Sequence, residues 1–356
     1  MPPDAVIGWD LGGAHLKAAR LDAAGRVERV VQLPCPLWQG LGQLEQALGA
    51  ATSLVGPAAA HAVTMTGEMV DLFATREEGV ATLVAAMRAR FTGLRFYAGD
   101  AGFVTGDEAA AAGLRLASAN WMATAALVAA CVPDALLVDI GSTTTDVVPV
   151  RAGRLRAVGR DDAGRLEARE LVYTGVVRTP VMALAAEVPF GGRSVPLMAE
   201  LFATAADVHR LSGRLPSDAD LYPAADGGAK TEAGSARRLA RMLGRDADAH
   251  ADADASLDDW RRLAQWLAEA QSRRIEDACR LLLARDSLPP DAPLVGAGVG
   301  RFLVADVATR LDRPYVEFAS LLLDAGPEPG RVSDCAPAVA VAWLSRDRGG
   351  AGPPPD

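Results

Sequence analysis

The sequence predicts a two-lobed α/β fold in which one lobe pattern occurs twice. Three observations carry that expectation. Strand-like and helix-like segments alternate along most of the chain. An apolar strand runs into an Asp-x-Gly turn at 7–17 (IGWDLGGAHLK) and again at 136–148 (LLVDIGSTTTDVV). A similar hairpin turn then follows each, Gly25-Arg26-Val27 and, with one residue of slippage, Gly153-Arg154-Leu155. Laying Asp10 on Asp139 also lays Gly12 on Gly141, so the repeat has the scale of a lobe and not of a solenoid.

Residues 5–8 and 15–21 read as strands around the turn Asp10-Leu11-Gly12-Gly13, and Asp22 to Gly25 is a second hairpin turn before RVERVVQL. LGQLEQALGAATSLV has helical apolar spacing, HAVTMTG is a strand, and REEGVATLVAAMRARF is another helix. The alanine-rich stretch from Asp107 to Cys131 is helical with a break at Gly113, and ALLVDIGSTTTDVVPV restarts the pattern. From about 160 to 255 clean alternation is lost, which marks an insertion containing the helical PLMAELFATAADVHRLSG and the solvated acidic loop DADAHADADASLDD. That loop lacks the fixed glycine and terminal glutamate of a calcium loop.

Ser256 and Asp259 form a capping box for one long helix from Leu257 to about Ala284, with an apolar stripe of Trp260, Leu263, Leu267, Ala270, Ile275, Ala278 and Leu282. PLVGAGVG is then a strand entering a glycine turn, followed by a helix from Arg301 to Leu311, the strand YVEF and the helix DCAPAVAVAWLSR. The expected domains are a first lobe at 1–133, a second at 134–330, a C-terminal helix at 331–348 packing back on the first lobe, and a disordered tail at 349–356.

Size and composition agree with this plan. At 356 residues the chain exceeds a soft prior of roughly 150 per domain. The net charge of −9 comes without a basic block, which argues against nucleic acid or an acidic membrane surface as the main partner and leaves a small metabolite. MPPDAVIGWD has neither a positive nor an apolar leader segment, and MATAALVAACV falls short of the roughly 20 residues that span a bilayer. A cytoplasmic protein with no membrane anchor is expected, and homo-oligomerisation stays open. Cys35, Cys131, Cys279 and Cys335 have no C-x-x-C spacing and read as packing thiols, not a zinc site.

An Asp-x-Gly turn between strands brings backbone N–H groups together as an anion site, since glycine lets the backbone approach a ligand closely. Gly12, Gly13 and Gly141 are the expected phosphate-binding glycines, joined by the hydroxyls of Ser142, Thr143, Thr144 and Thr145. Asp10, Asp139 and Asp146 are the expected oxygen ligands for Mg²⁺, a hard cation that keeps waters while bridging phosphates, although Asp10 and Asp139 also read as turn formers alone. Lys17 adds a point charge for phosphate or, alternatively, points to solvent. A third piece, VGAGVGR, places Gly296, Gly298 and Gly300 at a strand–turn–helix where an anion or substrate can sit, although such glycines also serve close packing alone.

These three motifs resemble the phosphate-one, phosphate-two and adenosine motifs of the sugar kinase/chaperone/actin superfamily, and DIGSTTTD is similar to its hydantoinase/oxoprolinase branch. The resemblance implies an actin/hexokinase-like, duplicated ribonuclease H-like fold. VTMTGEMVDLF, YAGDAGF, SANWMATA, YTGVVRTPV and ELFATAADVHRLSG further resemble the tetrahydromethanopterin-linked one-carbon transfer pathway proteins, which include a methanofuran-biosynthesis synthase. What this resemblance implies is a transferase that condenses a furan-methyl diphosphate with a γ-glutamyltyramine-like phenol and releases pyrophosphate. A small-molecule diphosphate and a phenolic acceptor are then the partners and Mg²⁺ the cofactor. ATP is left open, because no polar residue immediately before Arg301 is placed to read adenine or ribose. The rival is an ATP-dependent kinase or a hydantoinase-type hydrolase.

Several side chains carry two readings. His15, at the first turn, can take the phenol proton or be structural. Glu68 and Asp71, after a strand, serve as base or amine ligand, or only as charges at a helix N-terminus. Arg178 grips diphosphate or a carboxylate, or lies on the surface. Glu200, Asp207 and His209 read as the polar outer face of a helix. His61 and His250 read as structural or solvent-facing, and Trp121 and Trp260 as core.

Overall fold

The computed structural model describes residues 5–247 and 255–346. His250, most of the acidic run and the tail at 349–356 lie outside the described residues. The chain forms two compact units, Met1–Cys131 with Phe318–Asp356, and Val132–Glu317.

The first unit contains β1 (Val6–Leu11), β2 (His15–Leu21), β3 (Val27–Pro34), α1 (Leu41–Val55), β4 (Ala60–Met65), α2 (Arg76–Arg90), β5 (Leu94–Tyr97), β6 (Phe103–Thr105), α3 (Ala109–Ala112) and α4 (Asn120–Cys131). Its sheet runs β3-β2-β1-β4-β5-β6. The first three strands form an antiparallel meander, and β4 and β5 continue parallel to β1. Every residue of β1 is buried, because both sheet faces are covered. Ile7, Trp9 and Leu11 pack with Leu44, Leu48, Val80 and Leu83 of α1 and α2. The alternate residues, Gly8 and Asp10, face the other way, since side chains along a strand alternate between faces.

The second unit contains β7 (Ala135–Ile140), β8 (Thr145–Arg151), β9 (Arg154–Leu155), α5 (Asp162–Glu167), β10 (Leu171–Val172), β11 (Glu187–Phe190), β12 (Arg193–Pro196), α6 (Ala205–Leu211), α7 (Glu232–Met242), α8 (Leu257–Arg285), β13 (Leu294–Ala297), α9 (Arg301–Arg310) and β14 (Tyr315–Glu317). Its sheet runs β10-β8-β7-β13-β14, again an antiparallel meander followed by two parallel strands. The two sheets thus share one strand order, third-second-first-fourth-fifth. That duplicated ribonuclease H-like order is the fold class expected from the sequence.

The insertion starts later than expected. Leu171 and Val172 pair with Thr145 and Asp146 as the third strand of the sheet, a strand too short for its alternation to show in sequence. After it, the β11–β12 hairpin, α6, α7 and the N-terminal half of α8 close a separate core around Val188, Leu211, Leu239, Trp260 and Leu267. The C-terminal half of α8 packs Ile275, Cys279 and Leu282 on Leu136, Val138 and Ile140 of the sheet. Ser256 and Asp259 form the expected capping box, with the Ser256 N–H donating to Asp259 at 2.8 Å.

The chain returns to the first unit at Phe318 and not at 331, since the Val27 N–H donates to the carbonyl of Asp324 at 3.0 Å. The C-terminal segment is two helices, α10 (Pro329–Asp334) and α11 (Ala336–Leu344), divided at Cys335. Pro337 sits in the first turn of α11, where its missing N–H costs no helical bond. α11 packs on β1, β2, β4 and α4. No single described helix is long and apolar enough to cross a membrane.

Candidate functional site

Each unit carries one of the two turns, and the same backbone hydrogen bond closes both. The Gly12 N–H donates to the His15 carbonyl at 3.0 Å, and the Gly141 N–H donates to the Thr144 carbonyl at 2.9 Å. Strand register extends the match: Asp10 lies opposite Lys17, as Asp139 lies opposite Asp146.

In the first unit Asp10 is buried inside β1 and not in the turn itself, because the strand runs on to Leu11. Its carboxylate lies 4.0 Å from the Lys17 ammonium, so Lys17 balances Asp10. Both act electrostatically on Cys335, between α10 and α11, whose thiol is pushed up to about 12 by burial above all. The Asp10 side of the sheet therefore meets the N-terminus of α11. The loop after β4 closes over the turn, with the Thr66 N–H donating to the Leu11 carbonyl at 3.0 Å and Val70 packed against Gly13. The His15 ring is buried.

Glu68 does not fit the expected role of a base. It is 1% exposed, and one carboxylate oxygen accepts from Ser118 at 2.9 Å and from Arg76 at 3.2 Å. The α2 backbone at Gly79 rests on it, where a Cβ would come within 2.6 Å of the Glu68 carbonyl. Glu68 is thus an anchor between the loop and α2. Asp71 is exposed in the same loop.

In the second unit the turn Gly141–Thr144 is partly exposed, with Asp139 at the end of β7. Its carbonyls are taken: Gly141 accepts from the Val176 N–H at 3.1 Å, and Ser142 accepts from Val177 at 3.1 Å and Arg178 at 2.8 Å. The N–H groups of Ser142, Thr143 and Thr144 donate to no backbone carbonyl among the described residues. Successive amides without a backbone acceptor are the arrangement by which a turn can converge on an anion. The hydroxyls of Ser142 and Thr143 stand 3.4 Å apart beside them.

Two expected members of this set are engaged elsewhere. Thr145 is a strand residue with no exposure, and its hydroxyl donates to the Thr174 carbonyl at 2.7 Å. Asp146 accepts from the buried Arg165 guanidinium at 2.8 Å, which removes that oxygen from metal binding. The Arg178 side chain is exposed while its backbone supports the turn. Among the described residues no three His, Cys, Asp or Glu side chains gather as a metal cage.

The third motif divides in the same way. Gly296 lies within β13, where a Cβ would meet the Tyr315 ring at 2.6 Å, and Gly300 packs on Ile140 and Val176. Both serve packing. Gly298 has φ +77° and lies against the Asp139 carboxylate, where a Cβ would fall 2.4 Å from an oxygen. The Arg301 guanidinium donates to the Glu317 carboxylate at 2.9 Å and to the Gly298 carbonyl at 3.1 Å.

Sequence reasoning missed the support behind the second turn, namely Thr174, Gly175, His209 and Gln271. His209 and Asp207 are buried, contrary to the outer face expected for them, because α6 is sandwiched by α7 and α8. His61 is buried too, as the acceptor of the Trp9 indole N–H. The overlooked signal was in α8, where Gln271 occupies a stripe position between Leu267 and Ile275 and is fully buried while Ala270 is only half-buried. A polar residue in an apolar stripe needs a partner.

The hydantoinase/oxoprolinase family model matches residues 59–344, which include the second turn, the Thr174–Thr179 loop and the glycine turn. The chain belongs to the hydantoinase/oxoprolinase family. Within the hydantoinase/oxoprolinase family it is 31% identical over 240 residues to the (4-{4-[2-(gamma-L-glutamylamino)ethyl]phenoxymethyl}furan-2-yl)methanamine synthase of Methanocaldococcus jannaschii, covering 67% of this chain and 71% of that one. A shorter match, 38% over 73 residues, joins it to the synthase of the same name from Methanococcus vannielii, covering 20% of this chain and 32% of that one. Among solved structures, the nucleotide-free acetone carboxylase shares the fold with a TM-score of 0.57 at 10% identity, over 96% of this chain and 70% of that one.

Proposed function

We propose that this hydantoinase/oxoprolinase member is a transferase of methanofuran-type cofactor biosynthesis, serving tetrahydromethanopterin-linked one-carbon transfer. It joins a furan-methyl diphosphate to the phenol of a γ-glutamyltyramine-like acceptor. The name of the M. jannaschii relative specifies a phenoxymethyl-furan, and so an ether between a phenol oxygen and a furfuryl carbon. The phenol oxygen forms its bond to that carbon as the carbon–oxygen bond to diphosphate breaks. Pyrophosphate leaves with the electron pair, and the phenol gives up its proton.

The observation that carries this reading is the row of amides at Ser142, Thr143 and Thr144 that meet no backbone acceptor among the described residues. Donors fixed in advance stabilise charge that grows on a leaving group. Mg²⁺ would suit the oxygen chemistry of the Asp139 carboxylate beside this turn and, within its own unit, that of the Asp10 carboxylate inside β1; bound with the diphosphate it would neutralise leaving-group charge. Asp146 is not proposed as a ligand, since Arg165 holds it.

The test is an incubation with Mg²⁺ and either a furfuryl diphosphate plus a tyramine-type phenol, or ATP plus candidate acceptors, with phosphate and pyrophosphate measured. Pyrophosphate and a stable aryl ether are expected in the first arm. ATP turnover without pyrophosphate from the furan substrate would favour the kinase reading instead.

A further inference from the structure

Behind the amide row of the second turn lies a chain of buried hydrogen bonds that the reaction itself does not use. Gly175 packs directly on the turn, and Val176, Val177 and Arg178 hold the carbonyls of Gly141 and Ser142. The 174–179 loop is held in turn from two sides. The first N–H groups of α6 cap it, with Ala205 donating to the Thr179 carbonyl at 2.8 Å and Ala206 to the Val177 carbonyl at 3.1 Å. On the other side the Gln271 amide donates to the Thr174 hydroxyl at 2.8 Å and to the Gly175 carbonyl at 2.9 Å.

The orientation of this amide follows from chemistry. The Gly175 carbonyl can only accept, so the nitrogen of Gln271 must face it and the oxygen must face His209, 2.7 Å away. His209 Nε2 is then the donor, and the ring is the neutral Nε2–H tautomer. Its other nitrogen, Nδ1, meets no hydrogen-bond partner among the described residues. Phe302, one residue into α9, packs edge-on against the ring at 5.4 Å between centroids. Burial, the largest influence, lowers the His209 pKa to about 4, which keeps the ring neutral at ordinary pH.

We infer that His209 and Gln271 are positioning residues, a relay that fixes the 174–179 loop and through it aims the Ser142–Thr144 amides at the leaving diphosphate. The inference rests on the proposed role of that turn. Each link is a buried polar contact, so breaking one strands a donor or acceptor without water to replace it. A shift of the loop moves the amides, and charge stabilisation depends on their aim.

The experiment measures pyrophosphate binding to the full chain by calorimetry, for the wild type, Gln271→Glu, His209→Phe and His209→Gln, with thermal melting as a check of folding. An ionised glutamate cannot donate at all and a protonated one has a single O–H for the two contacts to Thr174 and Gly175, while phenylalanine cannot donate to Gln271. Each is expected to weaken binding roughly tenfold, the size of one stranded buried polar group. His209→Gln retains an N–H and is expected to recover most of that loss. Folded Gln271→Glu and His209→Phe proteins that bind pyrophosphate like the wild type would overturn the relay. Absence of binding by the wild type would bring down the diphosphate reading, and this inference with it. Nitrogen-detected NMR of the histidine rings supplies a ligand-free check. The Nε2–H tautomer of His209 is expected, and an Nδ1–H ring would refute the relay whatever the variants bind.

Discussion

Gly175 lies against Thr143 so closely that a Cβ on Gly175 would stand 2.4 Å from the Thr143 nitrogen. No side chain fits there without moving the turn that it supports. Gly175→Ala is therefore expected to cost about 1–3 kcal/mol in denaturant unfolding, the usual range for overpacking. Diphosphate-dependent turnover should fall roughly tenfold or more in the folded protein, because the loss of aim exceeds the loss of stability. Full activity in a folded variant would mean that the turn does not need this support.

Asp10→Asn and Asp139→Asn test the carboxylates one at a time. Both changes keep shape and remove charge, so melting temperatures should stay within a few degrees while diphosphate-dependent turnover is lost. Asp10→Asn also leaves the Lys17 ammonium without the carboxylate 4.0 Å away. Rates unchanged in both variants would remove the metal role assigned to them.

The insertion holds a buried ion pair of a different kind. Asp207 accepts from Arg238 at 2.8 Å and from Ser235 at 2.7 Å, and Arg238 has no exposure. Asp207→Ala leaves a guanidinium buried with less compensation and takes away the N3 carboxylate of the α6 capping box. The expected loss is about 3–5 kcal/mol in chemical denaturation. Replacing Asp207 and Arg238 together by apolar residues should recover much of it, since the desolvated charge is then gone as well. A double variant no more stable than Asp207→Ala would show that the pair does not account for the loss.

Two histidines set an acid limit on stability. Trp9 donates its indole N–H to Nδ1 of His61 at 3.1 Å, a bond that needs an unprotonated nitrogen. Burial lowers the pKa of His61, like that of His209, to about 4. Between that value and the ordinary pKa near 6.5, the unfolded chain binds protons that the folded chain refuses. Stability should thus be full above about pH 6.5, fall as the pH drops toward 4, and level off below it. The loss is at most on the order of 3 kcal/mol per histidine. Unfolding free energies measured across this range should lose part of their slope in His61→Gln. A pH dependence identical to the wild type would mean that His61 does not bind protons differentially.

The paired Asp-x-Gly strands were legible because the signal is local. A strand buried on both faces reads as an unbroken apolar run, and the turn after it needs glycine, so Val6–Leu11 and Ala135–Ile140 announced themselves and their repetition gave the fold class. The capping box at Ser256 and Asp259 was local in the same sense. Family membership also came from contiguous motifs, among them YTGVVRTPV.

Partner choice across long separations was not legible. Thr145 and Asp146 stand among hydroxyls and carboxylates that look alike in sequence, yet one is consumed by Thr174 and the other by Arg165. Glu68 lies where a base was expected, and Ser118 and Arg76 turn it into an anchor. Gln271 drew no reading from the sequence, and it supports the second turn only because α8 passes behind Thr174 and Gly175, nearly a hundred residues earlier in the chain. The sequence by itself determined which backbone could form an anion site, since that depends on glycine and on strand pattern. Which side chains face it was decided by tertiary packing, because a buried polar group takes whatever partner the fold brings within hydrogen-bond reach.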